Sequence, residues 1–91
     1  MKYEFKPSFG RSIKSLSSAN KEDIKETCSQ LIDILSGEKI LTKGFGLKNL
    51  RDNFWEIRKS LKFRILFRWQ SDHVEFILAG THDEIMRFLK N

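Results

Sequence analysis

The side chains with the most chemistry to offer are arginines, lysines and one histidine, and their spacing decides what they could do together. Arg58, Lys62, Arg64 and Arg68 fall where apolar residues take every second place: Trp55 and Ile57, then Phe63, Ile65, Phe67 and Trp69. That is the period of a β-strand, whose successive side chains point to opposite faces. Sorted this way, the apolar set makes a core face. Glu56, Arg58, Lys62, Arg64 and Arg68 share the other, with Leu66 the one apolar member. Neighbouring strands lie about 4.8 Å apart, so these cations crowd into a narrow patch. Crowded like charges repel, and a bound polyanion would relieve the repulsion. Arginine also meets phosphate with a bidentate fork that lysine lacks. A single surface cation usually does no more than keep a protein soluble. Here Lys43, Lys48 and Arg51 lead into the same patch. From Lys43 to Arg68, eight basic residues oppose only Asp52 and Glu56, a net +6 against +5 for the whole chain. Such a field attracts nucleic acid, an anionic membrane surface or an acidic protein.

His82 is the second chemical feature. Thr81 and Glu84 have the spacing of a capping box, T-x-x-E, which places His82 at the first position of a short helix. A helix N-terminus carries partial positive charge, which disfavours an imidazolium and can hold a phosphate. A neutral imidazole beside a phosphate-binding surface can move a proton in phosphodiester cleavage. A histidine there can equally do no more than close the strand-to-helix turn. His73, beside Asp72, reads as a surface residue, and Cys28, on an apolar helix face, as core. Asp83 and Glu84 suit the helix dipole better than a metal. No Gly-rich phosphate loop, nucleophile elbow or metal-ligand spacing is present, so the expectation is chemistry with no metal and no small-molecule cofactor.

Ninety-one residues specify one domain, residues 1–91, burying roughly 60–65% of the surface of its unfolded chain. A 40% hydrophobic content and a single proline exclude a disordered tail. One cysteine excludes an internal disulfide and a cysteine-based zinc cluster. No apolar run approaches the ~18 residues of a membrane span, and Lys2, Glu4, Lys6 and Pro7 interrupt any secretory signal. The expected compartment is the cytoplasm, with no membrane partner.

The elements that position these side chains follow from the same periodicities. Residues 2–6 alternate as a half-buried strand that Pro7 ends. Phe9, Ile13 and Leu16 recur at helical spacing, with Ser8 as the expected cap. Residues 17–19 form a break, Asn20 opens a second helix with Asp23 in its first turn, and Gly37 suits its end. Ile24, Cys28, Leu31, Ile32 and Leu35 line that helix. Residues 38–53, with Gly44 and Gly46, read as irregular. Three segments, 54–59, 62–69 and 73–79, then form an antiparallel meander, the last apolar enough to be covered on both faces. Ile85, Phe88 and Leu89 line the closing helix. The expected order is β-α-α-β-β-β-α: an α+β domain with a helical hairpin packed on a small, mainly antiparallel sheet.

Leu47-Lys48-Asn49-Leu50, Trp55-Glu56-Ile57-Arg58 and Phe63-Arg64-Ile65-Leu66-Phe67 together resemble the RelE/ParE toxin superfamily pattern "L-K-x-L … W-x-x-R … Y-R-h-x-Y". The ending Gly80-Thr81-His82-Asp83-Glu84-Ile85 is similar to the G-x-H-x-x-h close of its YafQ-like branch. The likeness covers about half the chain by motif and all of it by element order. It implies the toxin of a type II toxin–antitoxin system, silenced by a cognate antitoxin protein that adds secondary structure to it. It also implies a metal-independent endoribonuclease that cleaves mRNA on the ribosome, with the 2′-hydroxyl attacking the adjacent phosphate. Arg64 matches the family's sheet arginine and would steady charge developing on the phosphate. Arg58 matches a position that is commonly basic, and His82 the terminal histidine of acid–base work. Lys43 and Lys48 match the basic segment before the strand, with Arg51, Lys62 and Arg68 as further RNA contacts. Glu56 stands where other members have lysine, as a base or as a partner of Arg58. The tyrosine that several relatives carry near the C-terminus is absent, Met86 and Phe88 standing in that region. Two alternatives therefore stay open: a ParE-like inhibitor of DNA gyrase, or a non-catalytic nucleic-acid-binding homologue.

Overall fold

The computed structural model describes residues 1–37, 46–58 and 62–90. Its elements are β1 (Lys2–Phe5), α1 (Pro7–Ile13), α2 (Ser18–Leu35), β2 (Gly46–Arg51), β3 (Phe54–Arg58), β4 (Arg64–Gln70), β5 (His73–Gly80) and α3 (His82–Lys90). One five-stranded sheet has the order β1-β5-β4-β3-β2. β2 to β5 form an antiparallel meander, and β1 lies parallel to β5 at the far edge. The α+β class, the helical hairpin and the central position of β5 are as the periodicities imply.

The principal core joins sheet and hairpin. Phe9 of α1 and Ile24, Cys28 and Leu31 of α2 pack on Ile57, Ile65, Phe67, Val74, Phe76 and Ala79, with Trp55, Phe63 and Trp69 at the margin. This is the face that strand parity assigns to the core. Burial pushes the Cys28 thiol up to about 12, which fits a packing role and not a nucleophile. The helix starts differ from the sequence expectation by two residues. α1 begins at Pro7 itself, which lacks the N–H that a first helical position leaves unbonded. Ser8 is therefore not a cap; its hydroxyl donates to the Ile77 carbonyl. α2 starts at Ser18, with the Ser17 hydroxyl accepting from the Asn20 N–H, so Asp23 lies beyond the first turn. Gly37 does end α2, at φ +80°, where a side chain would be strained.

Two features depart further. Residues 46–51, read as irregular, form β2, paired with β3 through Leu47↔Ile57 and Lys48↔Glu56. A bulge between Asn49 and Arg51 breaks the two-residue period there. The second departure is a smaller core on the far face. Ile85 and Leu89 of α3 cover Leu66 and Ile77, with Leu50, Phe54, Leu78 and Met86 packed around them. The sheet is thus covered on both faces, and the charged face is half apolar. A β5 bulge brings Ile77 to the α3 side beside Leu78. Phe88, expected in the seam of α3, is exposed, and Phe54 is partly buried against this cluster.

Candidate nucleic-acid interface

α3 covers only part of the far face, and a groove of about 940 Å³ opens between it and β2. Its walls are Gly46, Leu47, Lys48, Leu50 and Arg51 on one side and His82, Met86, Leu89 and Lys90 on the other, with Glu56, Arg58 and Arg64 between them. Strand register explains the convergence. Arg58 lies directly opposite Arg64, Arg64 opposite Gly80, and Lys48 opposite Glu56. His82 follows two residues after Gly80, at the start of α3.

Two glycines make room. A Cβ on Gly46 would come within 3.3 Å of Arg58 Nε, so the missing side chain lets the guanidinium lie across β2. A Cβ on Gly80 would meet Glu84 Oε1 at 3.1 Å. That carboxylate accepts from the Thr81 N–H at 3.0 Å while Thr81 Oγ1 accepts from the Glu84 N–H at 3.3 Å, the reciprocal capping box that holds His82 at the helix start.

The groove floor carries an incompletely satisfied ion pair. Glu56 is only 6% exposed, and its Oε1 lies 3.7 Å from Arg64 Nε. That separation is too long for a hydrogen bond, and among the described residues neither Glu56 Oε2 nor Arg64 Nε has a hydrogen-bond partner. Buried charged groups left this way cost stability unless something completes them. The pair is formed not with Arg58 but with Arg64, the diagonal neighbour of Glu56 across β3 and β4, and the groove surrounds it with the cations Lys48, Arg51, Arg58 and Lys90.

Of the residues singled out in the sequence, the groove therefore gathers Lys48, Arg51, Glu56, Arg58, Arg64 and His82. Arg51 has structural work there as well: its Nη2 donates to the Leu89 carbonyl at 2.6 Å, capping the C-terminus of α3. Arg68 does not join the groove. It pairs with Glu75 at the other end of β4, Nε to Oε1 being 2.6 Å. Burial opposes ionisation of Glu75, but the hydrogen bonds from Arg68 and Lys6 outweigh it and hold the carboxyl below its usual range. Lys62 also lies outside the groove lining, its ammonium 5.2 Å from the Phe63 ring. Lys43 lies outside the described residues. Sequence reasoning gave no place in the site to Gly46, Leu47, Leu50, Met86, Leu89 and Lys90; the amphipathicity of α3 was the available signal for the last three.

No family model and no curated protein sequence matches the chain. Solved structures do. A metal-bound toxin from Helicobacter pylori superposes with a TM-score of 0.73 at 18% identity, covering 93% of this chain and 98% of that one. The E. coli DinJ–YafQ complex gives 0.70 at 13% identity, covering 91% and 94%. The RelB–RelE antitoxin–toxin complex of Methanococcus jannaschii gives 0.67 at 16%, covering 93% and 96%. The chain has the fold of the RelE- and YafQ-type toxins.

Proposed function

We propose that this chain is the toxin of a toxin–antitoxin pair and a metal-independent endoribonuclease that cleaves mRNA on the ribosome. The fold likeness supports the toxin reading, and two of the similar structures are toxins in complex with a partner protein. The observation that carries the nuclease reading is the unsatisfied Glu56–Arg64 pair at the floor of a cationic groove with His82 at its rim. A phosphodiester gives each group a partner. Arg64 and Arg58, neighbours across β3 and β4, would grip the phosphate and stabilise the charge of its transition state. Glu56, 3.7 Å from Arg64, would take the proton of the 2′-hydroxyl as its oxygen attacks phosphorus. His82 would protonate the departing 5′-oxygen. The products would be a 2′,3′-cyclic phosphate and a free 5′-hydroxyl. Lys48 and Lys90 would hold flanking phosphates, and an antitoxin would silence the protein by denying mRNA the groove.

Single-turnover cleavage on mRNA-programmed ribosomes tests this. Arg64→Ala should lose about 100-fold or more, and His82→Ala and Glu56→Gln each about 100- to 10,000-fold, with melting curves showing each variant folded. A substrate with a 5′-bridging sulfur needs no proton on its leaving group. It should restore cleavage in His82→Ala and not in Glu56→Gln. Full activity in His82→Ala removes that residue from the mechanism, and arrest of gyrase supercoiling with translation intact overturns the ribosomal target.

A further inference from the structure

Among the described residues, one constellation outside the groove brings three metal-ligating side chains together: Glu4, His73 and Glu75, with ligand atoms all within 4.8 Å of one another. Register puts them there. Glu4 lies directly opposite Glu75 on parallel β1 and β5, and His73 is two residues before Glu75 on the same face of β5. This is the far end of β5 from Gly80 and the groove, so the cluster takes no part in the chemistry proposed above.

Two carboxylates side by side require cations, and the chain supplies Lys6 between them and Arg68 on Glu75. The Lys6 ammonium bridges them, 3.1 Å from Glu4 Oε2 and 3.4 Å from Glu75 Oε2. Arg68 engages Glu75 through Oε1, which leaves Oε2 to the shared site. His73 Nε2 stands 3.5 Å from Glu4 Oε1. Ligand atoms on a tetrahedral ion with bonds of about 2.1 Å sit about 3.4 Å apart, so imidazole and carboxylate already have the spacing of two zinc ligands. Glu75 is buried and held in place by Arg68, whereas Lys6 is a half-buried side chain with a long flexible stem.

We propose that Glu4, His73 and Glu75 form a site for a borderline divalent transition ion such as zinc, for which the Lys6 ammonium is the built-in competitor. One imidazole nitrogen and two carboxylate oxygens suit that class of ion better than magnesium, which demands an octahedral oxygen shell. The bound ion would tie edge strand β1 to central β5, and its effect would be on stability and not on cleavage.

Calorimetric titration of the whole chain with zinc tests the site, with magnesium as the control. One zinc should bind, and saturating zinc should raise the melting temperature. His73→Ala and Glu4→Gln, both at exposed side chains, should each weaken zinc at least about tenfold. Lys6→Ala should tighten it, an effect opposite in sign to the loss of a stabilising ion pair. His82→Ala should leave it unchanged. Absence of zinc binding, binding that survives His73→Ala or disappears in His82→Ala, or binding no tighter in Lys6→Ala overturns the proposal.

Discussion

Glu56 and Arg64 show most sharply how a fold of this size accommodates a site. A buried carboxylate 3.7 Å from a guanidinium gains some Coulomb energy, yet two of the atoms involved lack a hydrogen bond among the described residues. Packed hydrophobic residues would do at least as well for stability, so the arrangement makes physical sense when a ligand completes it. Gly46 belongs to the same economy of space. A methyl group there would meet Arg58 Nε at 3.3 Å, and the flexible guanidinium would give way before the backbone did. Gly46→Ala should therefore leave stability within about 0.5 kcal/mol while lowering RNA affinity. Melting curves beside a binding isotherm separate the two, and unchanged affinity would mean that Arg58 does not need its place over β2.

At the scale of elements, α3 is the part on which the groove depends. It is a short helix, and isolated helices of this length are not stable in water. Three things hold it: the Thr81–Glu84 capping box, the burial of Ile85 and Leu89, and the Arg51 side chain on the Leu89 carbonyl. Arg51 thus links the two walls of the groove, β2 to α3, and a cation at a helix C-terminus is favoured by the dipole as well. Arg51→Ala should cost about 1 kcal/mol, which in a domain of this size lowers the melting temperature by about 4–8 °C. Hydrogen exchange should quicken in α3 first. Equal loss across the whole sheet would instead mean that Arg51 supports the fold at large.

For the molecule as a whole, the charge distribution sets how it meets a polyanion. The excess of the segment from Lys43 to Arg68 exceeds that of the whole chain, so the remaining surface is nearly balanced. Within that segment the fold divides the cations: Lys48, Arg51, Arg58 and Arg64 line the groove, and Arg68 is neutralised by Glu75. RNA affinity should fall steeply with salt through counterion release. Lys48→Ala should reduce the log–log slope by about 1, and Arg68→Ala should leave it nearly unchanged. Equal slopes for both variants would show that RNA spreads over the surface and ignores the groove.

Residue order alone determined the parity of β3 and β4, the apolar faces of α2 and β5, the capping box and the charge excess. Each is a local pattern of period 2 or 3.6 or a fixed short spacing, and such patterns survive without knowledge of their neighbours. β2 was not legible, because its bulge breaks the two-residue period and its stability comes from pairing with β3. Nor was the second core, since Leu66, Ile77 and Met86 lie far apart in the chain and meet only when α3 folds back over the sheet. That return decided the groove. It made Arg51 a helix cap, while strand register made Glu56 a partner of Arg64 and set Arg68 opposite Glu75, because which charges meet is set by strand register and helix placement and not by their order along the chain.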